Sequence, residues 1–322
     1  INDMCKSSNI LDFIHFADDT TISFSSNDLF ELETTLNREL SQLDDWLCAN
    51  RLSLNIGKTH FLMFSNRITN VEFSLKIRDV IIKKPEDDYV KLLGILIDEK
   101  LSFNFHIDAL CGKLRRACGV IFKLSSFLPQ RILKMLYNAI FLLHLVYCVE
   151  IWGSTCSVNM RRIAGIQKRV VRLLGNGDLC EIYKLNNILP VKILYKYFML
   201  LKFFQQHVLK RSVQFYNALI SLEPIHPYPT RFSEGLWWNT PLVNRSKFYS
   251  SFIYRSINFW NQLPTSFHYI TSMRSFKTRL RAHLNEEIPA DVMYIEIVYL
   301  YLVYLLLLLC DLNVVILVYC EL

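Results

Sequence analysis

Residues 10–25, ILDFIHFADDTTISFS, set two apolar runs on either side of Ala-Asp-Asp, and that pattern predicts a β-hairpin. From Asp28 the period changes. Leu29, Leu32, Leu36, Leu40, Leu43 and Leu47 recur every three or four residues, which gives a helix to about Asn50 one apolar face. Asp28 and Glu31 have capping-box spacing at its start, and Asn27 offers a second cap. RLSLNIGKTHFLMFS then alternates as a strand, a turn around Gly57 and another strand. Residues 71–82 and 89–98 read as further short strands, separated by the polar KKPEDD turn. Residues 1–104 are therefore expected to be α+β with antiparallel pairing.

Helical patterns fill 105–222. The stretch after Pro129, QRILKMLYNAIFLLHLVYCVEIWG, is apolar on most faces, as a core helix is. NMRRIAGIQKRVVRLLG is basic and amphipathic, with Ile163, Ile166, Val170 and Leu174 on one stripe, and NILPVKILYKYFMLLKFFQQHVLKR predicts another helix. Residues 223–245, rich in proline and holding Gly235 and Trp237-Trp238, read as a linker. Residues 246–285 form a basic, helix-prone module, and 286–322 a hydrophobic tail. The uninterrupted apolar run of the tail, Ile297 to Cys310, is fourteen residues. A membrane helix needs about 18 or more. Residues 297–320 reach that length only if Asp311 and Asn313 are tolerated, and no basic flank orients them. A buried helix, or a segment outside the fold, therefore ranks ahead of a membrane anchor.

Composition supports a packed protein. Of 322 residues, 52% are hydrophobic and 20% charged, which excludes wholesale disorder, and nine Gly with nine Pro exclude collagen-like and Gly-rich repeat chains. The nine cysteines form no CxxC pair and several sit in apolar runs, so they read as reduced thiols of an intracellular protein, in nucleus or cytoplasm. No apolar leader follows a basic start. The net charge of +7 is unevenly spread: residues 1–60 carry four Lys/Arg against ten Asp/Glu, and residues 105–175 carry eleven against two. A basic middle behind an acidic front suits a polyanion held beside a cation site. Solvated helix faces would give the same count.

Three Asp-Asp pairs occur. Asp44-Asp45 falls in a helix and Asp87-Asp88 in a polar turn, and both read as surface acids. Asp18-Asp19 differs because apolar strands flank it on both sides. Unpaired charges beside a core are costly, and hard divalent cations with oxygen ligands offset that cost. Two such ions about 3.5–4 Å apart can activate an attacking hydroxyl and stabilise a leaving phosphate oxygen. The competing reading is a turn that uses Asp for its turn propensity. His15, His60 and His106 lack metal-ligand spacing and read as packing or surface residues.

FADD, LSLNIGKTHFLMFS and VKLLGILIDEKLSFNFHI, in this order and spacing, resemble the reverse transcriptases of non-LTR, jockey-like retrotransposons. Downstream, YCVEIWG, RIAGIQKRVVRLL, LNNILPVKILYKYFMLLKFFQQ and SINFWNQLPTSFHYITSMRSFKTRLRAHL are similar to segments of the same family, so the likeness spans about residues 10–285. The resemblance implies a partial polymerase palm over 1–104, followed by a helical thumb and post-thumb region. It assigns Asp18 and Asp19 to the catalytic, metal-binding hairpin, with two Mg²⁺ ions in an intact enzyme. Phe16 stands where the family usually has Tyr, packing near the primer end. Lys58 matches a lysine near the departing pyrophosphate, where a cation stabilises or protonates the leaving group; an exposed turn lysine is its ordinary alternative. Leu92, Leu93 and Gly94 match the primer grip, and otherwise a plain tight turn. Asn55 bridges its turn locally.

The same likeness casts Lys113, Arg115, Arg116, Lys123, Arg161, Arg162, Lys168, Arg169 and Arg172 as contacts to nucleic-acid backbone, positioning phosphates without reading sequence. Trp237, Trp238 and Trp260 could stack bases, although core packing is the stronger expectation for Trp260. The implied partners are an RNA template, a DNA primer or nicked target DNA, and dNTP. In this family a further essential Asp comes from a palm strand upstream of xADD. Asp12 is a poor substitute, because six residues of extended chain span about 20 Å. The chain is therefore expected to be inactive alone. Two other functions remain open: a non-catalytic nucleic-acid-binding remnant, and a membrane-associated protein using 297–320.

Overall fold

The structure is a computed structural model. It describes residues 3–17, 19–65, 73–77, 80–208, 238, 251–288 and 314–321. The chain divides into two compact units, one of residues 1–105 with 305–322, the other of residues 106–304.

In the first unit the ADD segment folds back as expected. β1 (Asp12–Phe16) pairs antiparallel with β2 (Asp19–Ser26), from Asp12 opposite Ser23 to Phe16 opposite Asp19. The turn is therefore two residues long, and Ala17 takes a left-handed φ of 55° to make it. Helix α1 (Leu29–Ala49) follows, capped by the Asp28 carboxylate, which accepts from the Phe30 N–H at 3.1 Å. Glu31 does not close the capping box. It accepts instead from Ser26 Oγ at 2.6 Å, tying the helix start to the end of β2. Leu32, Leu36, Leu40, Leu43 and Leu47 are buried against the sheet, each contributing roughly 1.5–3 kcal/mol.

RLSLN is not a strand. Ile56–Lys58 make one 3₁₀ turn, and only then does β3 (His60–Ser65) begin. Two hairpins complete the region: β4 (Leu75–Ile77) with β5 (Val80–Ile82), and β6 (Tyr89–Leu92) with β7 (Ile95–Asp98). Asn37 on α1 grips the β4 segment from both sides, donating to the Ser74 carbonyl and accepting from Lys76 N–H.

The tail supplies a strand rather than a helix. β8 (Val314–Glu321) lies between β2 and β3, antiparallel to both, so the sheet order is β1-β2-β8-β3. Val318 is 0% exposed and joins Ile22, Phe61 and the α1 leucines in one core. Residues 297–313 lie outside the described residues. Among the described residues, no helix is long and apolar enough to cross a membrane.

The second unit is helical among its described residues. α2 (Asn104–Leu124) leads into a broken apolar segment in place of one long helix: α3 (Gln130–Leu136), a π-helical turn over Tyr137–Leu142, α4 (Leu143–Val146) and α5 (Val149–Trp152). The break after Val146 is held by Cys148 in left-handed conformation (φ 50°) and by Trp152 Nε1, which donates to the Tyr147 carbonyl at 2.7 Å. α6 (Ser157–Val171), α7 (Leu179–Leu185) and α8 (Val191–His207) follow. Helices Phe252–Asn261, Thr265–His268 and Met273–Glu286 come after the expected linker, of which only Trp238 is described. Trp260 is buried in an aromatic cluster with Phe203, Phe204, Phe276 and a stacked His268.

Candidate functional site

Asp18 lies outside the described residues; its neighbours define where the chain turns. Phe16, at the end of β1, is 62% exposed, so its ring is available beside the turn. Asp19 opens β2, half-buried. Asp12 starts β1 at the opposite end, where burial raises its carboxyl above the ordinary value. Between them His15 shares a hydrogen bond with Thr20 Oγ1 at 3.1 Å, and burial lowers its imidazole pKa. That bond makes it a local brace of the hairpin.

Sheet register brings further groups to the same end. Thr21, Tyr319 and His60 stand in one row across β2, β8 and β3. One step of two residues beyond that row lie Asp19 on β2 and Glu321 on β8, which are register partners. Lys58 precedes His60 by two residues, in the 3₁₀ turn at that end of β3. The crossover from β2 through α1 to β3 thus sets Lys58 and Asp19 at one end of a sheet, far apart though they are in sequence. Lys58 is exposed, and its backbone N–H donates to the Asn55 carbonyl at 3.0 Å. Thr59 Oγ1 donates to the same carbonyl at 2.9 Å. Asn55 thus bridges its turn through the backbone oxygen.

The β6–β7 hairpin also turns in two residues, with Leu92 opposite Ile95. Leu93 and Gly94 both have positive φ, 46° and 84°. Gly fits that geometry freely, whereas a leucine there is strained and presents its side chain to solvent. Asp98, which the sequence pattern did not single out, anchors the exit. Its carboxylate accepts from Ser102 N–H at 3.0 Å and Phe103 N–H at 2.9 Å, fixing the approach to α2. The signal was present as an Asp just before a short polar loop and a helix.

In the second unit Lys113, Arg115, Arg116 and Lys123 are exposed on α2, and Arg161 and Arg169 on α6. Lys168 on α6 is half-buried, and Arg172, just past its end, is exposed. Arg162 is engaged within the unit: it pairs with Asp108 of α2 and donates to Asn159 Oδ1 at 3.2 Å. Arg161 folds back on Ser157 at the N-terminal turn of its own helix. Trp238 and Trp260 are buried, so neither offers an open face to a base; Trp237 lies outside the described residues. His106 is buried within 6.3 Å of the Trp152 ring. Burial, then the nearby Lys113 charge, lowers its pKa to about 4, as befits a packing residue.

No protein-family model matches the chain, and no solved structure matches it. Three curated proteins do. A probable RNA-directed DNA polymerase from transposon X-element of Drosophila melanogaster is 27% identical over 183 residues, 54% of this chain and 19% of the relative. A probable RNA-directed DNA polymerase from transposon BS of the same species is 26% identical over 49% of this chain and 18% of the relative. The RNA-directed DNA polymerase from mobile element jockey of Drosophila funebris is 24% identical over 50% of this chain and 18% of the relative. The match thus spans less than a fifth of the length of each relative. Over about half its length, this chain is similar to the RNA-directed DNA polymerases of retrotransposons, the group its ordered motifs also resemble.

Proposed function

We propose that the chain is a portion of an RNA-directed DNA polymerase that carries the catalytic hairpin, the primer grip and, later in the sequence, a basic helical thumb. The carrying observation is the β1-β2-β8-β3 sheet, which has the hairpin turn before β2 and the Lys58 turn before β3 at the same end, one strand apart. Asp18 and Asp19 would hold Mg²⁺, since carboxylate oxygens are the donors a hard dication takes. Among the described residues, no three His, Cys, Asp or Glu gather to hold a metal, so Asp18 is indispensable to the reading. Magnesium, when bound, lowers the cost of charge on the attacking and leaving oxygens of an in-line displacement. The chain's own residues position the reactants. Phe16 packs beside the primer end, Lys58 neutralises the departing pyrophosphate, and the Leu92-Leu93-Gly94 turn holds the primer strand. Lys113, Arg115, Arg116, Arg161, Arg162, Lys168, Arg169 and Arg172 contact phosphates of the RNA template and DNA primer, inside the cell. Arg162 would do so only at the expense of its Asp108 pair.

A non-catalytic nucleic-acid-binding remnant is the second reading, favoured by the basic face of α2 and α6. One titration separates binding from chemistry. The chain is titrated with a fluorescent RNA–DNA duplex at rising salt, with and without Mg²⁺. Binding should weaken steeply with salt, and reversing Arg116, Arg161, Lys168 and Arg169 to Glu should reduce affinity at least tenfold. Unchanged affinity in that variant would defeat both readings. If Asp18→Ala with Asp19→Ala abolishes a Mg²⁺-dependent increment in duplex affinity, the polymerase reading stands. If the double variant binds as the parent does, with or without Mg²⁺, the remnant reading stands.

A further inference from the structure

The outer face of α2 is both cationic and aromatic. Residues 109–149 contain Lys113, Arg115, Arg116, Lys123, Arg131 and Lys134 and no Asp or Glu. Phe122 is 65% exposed near the end of α2, and Phe127, in the turn that follows, is 81% exposed. Single apolar residues on a surface need no explanation, but these two rings stand among cations. On a helix, residues three and four apart are neighbours. Arg115, Arg116, Phe122 and Lys123 are therefore the four residues around Gly119, and all five are exposed. A Cβ added at Gly119 would meet nothing within 4 Å, so the protein's own packing does not require glycine there. Glycine inside a helix is destabilising relative to alanine. The position leaves a bare patch of helix backbone, framed by three cations and a ring.

An occupant of this face must bring negative charge and flat apolar surface together. The bases of a duplex are stacked on one another, so a duplex offers the cations its phosphates and leaves the rings unused. An unpaired strand offers both, phosphates to the cations and bases to the aromatic side chains. A helix lying on an anionic membrane keeps its cations on the face opposite its apolar groups. On α2, Phe122 shares one face with Arg115 and Lys123, which favours the strand. We propose that this face binds single-stranded nucleic acid: bases stack on Phe122 and Phe127, and Arg115, Arg116 and Lys123 hold the adjoining phosphates. Gly119 leaves room for the strand to lie close against the helix. The inference rests on the reading that the basic helices contact nucleic acid, and adds that the strand on α2 is unpaired. Stacking and phosphate contact do not read base identity, so the site is tolerant of sequence.

Three labelled probes of equal length, about 20 nucleotides, separate stacking from charge: oligothymidylate, the same backbone with abasic sites, and an RNA–DNA duplex. Each is titrated against the full chain and against the double variant Phe122→Ala with Phe127→Ala. The parent should bind oligothymidylate roughly tenfold more tightly than the abasic strand, and the double variant should lose that difference. The double variant should bind the duplex within about twofold of the parent, because its cations are intact. Phe122→Tyr with Phe127→Tyr should keep the parent's affinity for oligothymidylate. Gly119→Leu covers the bare patch with a better helix former, so it should raise the thermal midpoint and weaken oligothymidylate binding roughly fivefold. The proposal is overturned if the abasic strand binds as well as oligothymidylate, if the double variant keeps the preference for bases, or if Gly119→Leu binds as the parent does. It is also overturned if the double variant loses affinity for vesicles of anionic lipid and holds oligothymidylate unchanged, which would make the face a membrane contact. Duplex binding that persists beside any of these results leaves the nucleic-acid reading standing, whereas failure to bind all three probes defeats both.

Discussion

His106 shows how burial turns a titratable side chain into a pH-dependent element of stability. Its folded pKa is about 4, against an ordinary value near 6.5. The unfolded chain therefore binds a proton that the folded chain refuses over that interval. The stability His106 contributes is intact above the unfolded pKa and is lost as pH falls from about 6.5 towards 4, a difference on the order of 3 kcal/mol. Urea unfolding at pH 7 and pH 5 should show the loss. In His106→Phe this part of the pH slope should be absent, and an unchanged slope would show that other groups carry it. Leu93 is a second residue where structure and preference conflict. Relieving a left-handed leucine by Leu93→Gly should raise the thermal midpoint, a gain of about 1 kcal/mol. If the turn grips a primer, the same change should weaken duplex binding. A gain in both properties would remove Leu93 from the site.

At the scale of elements, pattern alone showed what is local and missed what is long-range. The six-leucine stripe of α1 and its Asp28 cap, the hairpin around Ala-Asp-Asp, and the extended character of 71–82 and 89–98 were legible, because each is set by neighbours within a few residues, but alternation alone did not divide those two runs into the four strands β4 to β7. The apolar stretch after Pro129 read as one helix because hydrophobicity gives no sign of a π-turn or of a left-handed Cys148. RLSLN alternates like a strand, yet Ile56–Lys58 coil into a 3₁₀ turn. The tail read as a helix or a stray segment because its pairing partners, β2 and β3, are remote in sequence. Gln167 illustrates the same limit. It lies inside a basic helix, and nothing nearby marks it as buried. It donates to Tyr137 Oη and the Leu189 carbonyl and accepts from Val191 N–H, joining the π-turn, α6 and the start of α8. Gln167→Leu strands those three groups in the interior, a loss of about 2–4 kcal/mol. Chemical denaturation should show that drop with an unchanged m-value, and a loss below 1 kcal/mol would mean the network relaxes around the change.

At the scale of the whole molecule, the question is whether these 322 residues can make a phosphodiester bond. The hairpin offers Asp19 at the start of β2, next to the turn, and Asp18 precedes it in the sequence. Asp12 is the next acid on β1, but its register partner is Ser23, at the other end of the strand pair. Five residues of β1 therefore separate it from the turn, roughly 17 Å of extended chain. Two ions held about 3.5–4 Å apart need ligands that converge, and Asp12 does not converge with the tip. Among the described residues of the sheet, Glu321 of β8 is the register partner of Asp19. We expect the purified chain to show no Mg²⁺-dependent dNTP incorporation on a primed RNA template. Incorporation would overturn that expectation, and the variant Glu321→Gln would then identify its cause. Loss of the activity in that variant would make the tail's glutamate a working part of the site. Persistence would leave Asp18 and Asp19 sufficient without it.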